Sequence, residues 1–243
     1  MSKAPENPKD IFQEIIDDYK GVFRNDLVSI ILYGSATGKA YVPGKSDINF
    51  MIILTEAGIE NLDKAFKTVD KWQKKNVAIP LFLTEHYVET SMDVFPIEYL
   101  NFQQNYVLVY GKDILKDLSF HHELVRLQCE REIKGKLLLL REAYMETSGK
   151  GKSLKEVIKQ SIPAFVAIFE ALLFLKDIEI PAEKRATIKA TCEAFGLDTG
   201  LFERLLGIKE EKTKLDESEM NALFKAYLAE VRKLSVLADS MGE

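Results

Sequence analysis

Two short apolar runs rich in β-branched residues, LVSIILY over residues 27–33 and FMIIL over 50–54, flank a loop of small and polar residues. This stretch constrains the fold more than any other. The first run ends in Gly34-Ser35, a Pro43-Gly44 turn follows, and Ser46-Asp47-Ile48-Asn49 opens the second run. Runs of this kind bounded by turn residues predict a strand pair with a loop at its mouth. Side chains alternate along a strand, so Asp47, Asn49 and Met51 are expected on one face and Ile48, Phe50 and Ile52 on the other. Gly34 has no Cβ and lets the loop backbone approach a ligand closely, while Ser35 offers a hydroxyl and an N–H of the kind that hold phosphate.

The rest of the chain separates into two parts. Asn7-Pro8 predicts a capped helix start, and Ile11, Phe12, Ile15, Ile16, Tyr19 and Phe23 recur at helical spacing behind it. A helix over about 61–75, a strand over 77–84 (VAIPLFLT) and two further strand pieces, 95–100 and 106–110, complete an α/β pattern with a mixed sheet. From Leu118 onward the periodicity is helical. Helices are expected over 122–147, from a Ser153/Glu156 capping box with a kink or restart at Pro163, from Pro181 to Phe195, over 201–206, and over 218–241. The expected organisation is α+β: a mixed-sheet domain with flanking helices over residues 1–116, then an all-α bundle over 117–243.

Composition bounds the function classes. The 243 residues suffice for one large or two modest domains, and 47% apolar with 29% charged residues is the balance of a soluble globular protein. A net charge of −5 argues against general nucleic-acid binding, because no surplus of Lys and Arg exists to neutralise phosphates. Cys129 and Cys192 lie far apart without metal-ligand spacing, which predicts reduced, buried thiols in a cytoplasmic setting. The first ten residues, MSKAPENPKD, lack the apolar core of a signal peptide. The most apolar segment, 162–175, is short for a bilayer and carries Glu170, so no membrane association is expected. His86 has no second ligand nearby, and His121-His122 either only begin the first bundle helix or face the cleft.

The stretch from Gly34 to Asn49 resembles the signature of the nucleotidyltransferase superfamily: strand, Gly-Ser, about a dozen residues, then Asp-x-Asp entering the next strand. More narrowly it is similar to the bacterial aminoglycoside-adenylylating and minimal nucleotidyltransferases, and a trailing helical bundle accords with the former. The resemblance implies that Gly34, Ser35 and Ser46 contact nucleotide phosphates and that Asp47 is the first metal ligand. It also implies Mg²⁺ with ATP or another nucleoside triphosphate, and a nucleotide or small-molecule ligand in a cleft between the domains. Asn49 stands where the second aspartate belongs. The strand that should carry the third acid, VAIPLFLT, contains no carboxylate, and Glu85 and Glu98 are its nearest acids. Two-metal transfer needs anionic ligands to offset four positive charges, and an Asn carbonyl brings none.

Three readings follow. In the first, a nucleotidyltransferase-like protein with a degraded two-metal site keeps weak nucleotide or ligand binding without efficient transfer. In the second, an active Mg-dependent enzyme adenylylates a small hydroxyl compound using Asp47 and an acid still to be located. In the third, the chain is an antitoxin-like interaction module. Asp47 on its own could equally cap a turn. The pattern leaves self-association open.

Overall fold

The computed structural model describes residues 4–38 and 41–241. The chain divides into two compact units, Met1–Asp93 with Phe102–Ser119 and Val94–Asn101 with Phe120–Glu243.

In the first unit the Asn7 side chain accepts from the Lys9 N–H at 3.0 Å and starts a 3₁₀ turn, Pro8–Ile11, which runs into helix α1 (Phe12–Phe23). Strand β1 (Leu27–Tyr33) is followed by a 3₁₀ turn, Gly34–Thr37, and strand β2 (Asn49–Leu54). Then come α2 (Glu56–Ile59), α3 (Phe66–Gln73), β3 (Leu81–Thr84), α4 (Glu85–Thr90), α5 (Pro96–Gln104), whose residues up to Asn101 belong to the second unit, and β4 (Tyr106–Gly111). The strands form one sheet in the order β3-β2-β1-β4. β1 is antiparallel to both β2 and β4, whereas β2 and β3 are parallel, so the sheet is mixed as expected. Ile15, Tyr19 and Phe23 of α1 close over Ile30, Leu32, Ile48, Phe50 and Ile52, and Trp72 completes this core with its indole N–H donating to Asp18 at 2.9 Å. Burying such side chains contributes about 1.5–3 kcal/mol each. On the other face of the sheet Ile31, Met51 and Ile53 are also fully buried.

Three local expectations are corrected here. The helix expected over 61–75 is a 3₁₀ turn, Leu62–Ala65, followed by α3, and Phe66 is exposed rather than packed. The strand expected over 77–84 is regular only from Leu81, with Val77 joined to Ile48 by a single bridge. Residues 95–100 are not a strand. Pro96 opens α5, and the Ile97 N–H is taken by the Gln128 side chain at 2.8 Å, while Ile97 and Leu100 join the core of the second unit. A short apolar run cannot be assigned to strand or helix by periodicity alone, and here the tertiary partners decide.

The second unit is a helical bundle: α6 (His122–Thr147), α7 (Gly151–Leu175), α8 (Lys184–Phe195), α9 (Thr199–Lys209) and α10 (Glu217–Ser240). The expected α10 stripe, Met220, Leu223, Phe224, Tyr227, Val231 and Leu234, is wholly core. α7 begins at Gly151 behind Lys150, so Ser153 caps nothing; the capping box belongs to Asp216 and Glu219 at the start of α10. α8 starts at Lys184 rather than at Pro181. α7 also runs unbroken through Pro163. Proline leaves the carbonyl four residues earlier without its helical donor. That carbonyl belongs to Lys159, and the Lys209 ammonium approaches it at 3.5 Å. α7 is 25 residues long and apolar enough to cross a membrane by length and composition, but eleven of its residues are buried within the protein.

Candidate functional site

The site is built where β1 ends and β2 begins. Tyr33 pairs with Asn49 across the two strands, so Gly34 leaves the sheet beside Asn49. Gly34 has φ of +78°, a conformation that disfavours a side chain, and a Cβ placed on it would lie 3.6 Å from Asn49 Nδ2. Its N–H donates to the Asn105 carbonyl at 3.2 Å, and its carbonyl accepts from the Thr37 hydroxyl at 2.8 Å. The glycine is therefore fixed from both sides, and its N–H is engaged. Ser35 next to it is half-buried, and its hydroxyl makes no hydrogen bond among the described residues.

Ser46, expected as a phosphate contact, braces the turn before β2. Its hydroxyl accepts from the Val42 N–H at 3.0 Å, its own N–H donates to the Val42 carbonyl at 2.9 Å, and its carbonyl accepts from the Asn76 amide at 2.8 Å. These bonds close the Pro43-Gly44 turn and tie it to the segment that leads towards β3. Asp47 follows, exposed and without hydrogen bond or ion pair among the described residues, and then Ile48 fully buried and Asn49 half-buried. The alternation expected from the sequence is present: Ile48, Phe50 and Ile52 enter the core under α1, and Asp47 and Asn49 do not.

Across from Asn49 on the β3 side the chain carries no acid. Ile48 bridges Val77 and Met51 pairs with Leu81, so three steps on β2 face four on the neighbouring segment. The residues between are Ala78, Ile79 and Pro80, and Ile79 is 64% exposed. Glu85 lies past the far end of β3, because Thr84 pairs with Leu54; at about 3.3 Å per residue that is roughly 20 Å from the Asp47 end. There it forms an ion pair with Lys112. Glu98 belongs to the second unit, where its carboxylate accepts from the Gln128 amide at 2.7 Å. Among the described residues no group of three His, Cys, Asp or Glu side chains could hold a metal ion. The donor set at the mouth is one carboxylate and one carboxamide, which does not fit two Mg²⁺ ions.

Two residues of the site escaped the sequence reading. Asn105 holds Gly34, and Asn76 holds both Ser46 and, through its carbonyl, the Ile48 N–H at 3.2 Å. Asn76 has φ of +66°, a left-handed conformation that Asn tolerates, and a lone Asn after Lys74-Lys75 and before an apolar run was its available signal. Beside them Tyr33 and Phe102 meet edge to face at 4.8 Å, and burial pushes the Tyr33 hydroxyl pKa up.

No protein-family model matches the chain, and no curated protein matches it. Among solved structures it is similar to the spectinomycin adenyltransferase AAD(9) from Enterococcus faecialis, with ATP and spectinomycin. The two are 13% identical with a TM-score of 0.49, over 90% of this chain and 99% of that one.

Proposed function

We propose that the mouth of the sheet in the first unit is a nucleotide- or small-ligand-binding site of nucleotidyltransferase type that does not carry out efficient transfer. The observation that supports the reading is the pairing of Tyr33 with Asn49, which sets Gly34 beside Asn49 at the joined ends of β1 and β2, with Asp47 as the single carboxylate next to them in the chain. Ser35 is the hydroxyl free to meet a phosphate, and Asp47 is the group free to meet a cation that arrives with a nucleotide. Mg²⁺ sheds water reluctantly and is ordinarily held by carboxylates together with phosphates, so a nucleotide-borne ion needs little from the protein. A second, acceptor-activating ion needs anionic ligands that Asn49, Ala78, Ile79 and Pro80 do not supply. The role of Ser46 is to hold the turn that presents Asp47.

Calorimetry with ATP, with and without Mg²⁺, tests the binding half of this reading. Weak binding is expected, reduced about fivefold in Ser35→Ala, which corresponds to about 1 kcal/mol for one hydrogen bond. Equal affinity in both proteins, or none in either, removes the phosphate-loop assignment. Pyrophosphate release from Mg-ATP over a panel of aminoglycosides and other polyols tests the other half. No sustained release is expected, and Asn49→Asp should improve metal binding more than turnover. Acceptor-dependent release by the unmodified protein, abolished in Asp47→Ala, would establish an active adenylylating enzyme instead.

A further inference from the structure

Tyr33 and Asn49 lie directly across from one another on β1 and β2, so their side chains leave the sheet on one side, the side turned away from α1. Both are half-buried, and neither the Tyr33 hydroxyl nor the Asn49 carboxamide makes a hydrogen bond among the described residues. Tyr106, which faces Tyr33 from β4, shows what such a hydroxyl does when the fold employs it. It donates to the Asp113 carboxylate, 3.0 and 2.9 Å from the two oxygens. Tyr33 has no such partner, and burial pushes its pKa up. An idle polar group already drawn partly out of water costs more than one that stands in it. Two of them on neighbouring strands are what a ligand would explain. Phe102 adds an aromatic wall: its ring meets that of Tyr33 with centroids 4.8 Å apart and planes inclined at 68°, a corner shaped to take a flat ring.

The hydrogen-bonding groups say which ring. A carboxamide offers a donor and an acceptor side by side, and so matches a ring that carries an amino group next to an accepting ring nitrogen. That is how Asn reads adenine, whereas the paired acceptors of guanine call for Arg or Lys. We propose that Asn49, with Tyr33 and Phe102, binds the aminopurine ring of an adenine nucleotide. Asn49 then reads a base where a two-metal site would need a carboxylate. The inference rests on the reading of this mouth as a nucleotide site, and it names the part of the nucleotide held by the inner row of residues. The outer row differs in kind, because Ser35 and Asp47 offer a hydroxyl and a carboxylate. Asp47 lies two residues from Asn49, about 7 Å along an extended chain, a gap that the sugar of a nucleotide spans. With the ring inward and the phosphate and its cation outward, Tyr33, Asn49, Ser35 and Asp47 are engaged together.

Calorimetry of the full chain with adenosine, inosine and Mg-ATP tests the proposal. Adenosine should bind, and inosine, whose ring has an oxo group in place of the amino donor, should bind about tenfold more weakly. Tyr33→Phe keeps the ring and removes the hydroxyl, and should weaken adenosine about fivefold. Asn49→Asp keeps the shape and removes the donor. It should weaken adenosine about tenfold and tighten Mg²⁺, two opposite shifts that a loosened fold would not give. Adenosine and inosine bound equally, no binding of adenosine, or an adenosine affinity indifferent to Asn49→Asp overturns the proposal. If Mg-ATP binding sensitive to Ser35→Ala persists in that case, the nucleotide site stands and the base reading alone falls. Absence of Mg-ATP binding overturns both.

Discussion

The two ends of the sheet in the first unit are built from the same kinds of residue and finished in opposite ways. At the Leu54 end nearly every polar group is engaged. The Thr55 hydroxyl donates to Asp26 at 2.7 Å and accepts from the Gly58 N–H at 3.1 Å, Ser29 donates to the Tyr110 carbonyl at 3.0 Å, and Lys112 pairs with Glu85. At the Asn49 end Ser35, Asp47 and Asn49 have no side-chain hydrogen bond among the described residues, although Asn105, Ser46 and Asn76 hold the backbone around them. A polar side chain that stabilises nothing and stands in water costs the fold little. The lesson is one of division of labour: backbone anchors at the open end keep the geometry and leave the side chains unoccupied.

Two glycines give the sharpest way to break that comparison. Gly111 at the closed end and Gly34 at the open end both have positive φ. A Cβ on Gly111 would lie 2.0 Å from the Val28 carbonyl oxygen, whereas on Gly34 it would meet a side-chain nitrogen, Asn49 Nδ2, at 3.6 Å. Gly111→Ala is therefore expected to cost about 3 kcal/mol in urea unfolding and Gly34→Ala about 1 kcal/mol, the backbone strain alone. Equal losses would mean that the open end is as tightly packed as the closed one.

An unpaired carboxylate in the bundle separates idleness in water from idleness in a core. Glu170 in α7 has no hydrogen bond among the described residues, and burial pushes its pKa up to about 7, with Lys184 opposing the rise. The folded state then holds the proton more tightly than the unfolded chain, whose carboxyl titrates near 4.5. This group's contribution is full below about pH 4.5 and is lost as pH rises through about 7. Glu170→Gln should therefore stabilise the protein by about 2 kcal/mol at pH 8 and be neutral at pH 4.

Smaller effects sharpen the contrast further. Thr55→Val removes a helix cap and the bond to Asp26 and should cost about 1 kcal/mol. Ser35→Ala and Asp47→Ala should change stability by less than about 0.5 kcal/mol while altering nucleotide binding. A loss above 1 kcal/mol in either would mark that side chain as structural and weaken the proposed site.

Much of this was legible from residues in order. The β1–β2 pair, the face on which Ile48, Phe50 and Ile52 are buried, the bounds of α6 and the core stripe of α10 all follow from local periodicity, because burial must repeat with the period of the element that carries it. The meeting of Gly34 and Asn49 at one end of the sheet also follows from residues in order, since two strands joined by a loop bring their ends together whatever the rest of the chain does.

What the tertiary structure decided is what depends on residues far apart in the chain. The turn at Ser46 is tied down by Asn76, thirty residues on, which takes its carbonyl, a bond that no local pattern announces. Residues 95–100 read as a strand and become a helix because Gln128 and the bundle core receive them. Pro163 reads as a kink or a restart, and the helix does not restart there; Lys209 reaches the carbonyl that the proline leaves free. In each case the local preference is worth a kcal/mol or so, and a partner brought in by the fold contributes about as much, so sequence order alone cannot set the outcome.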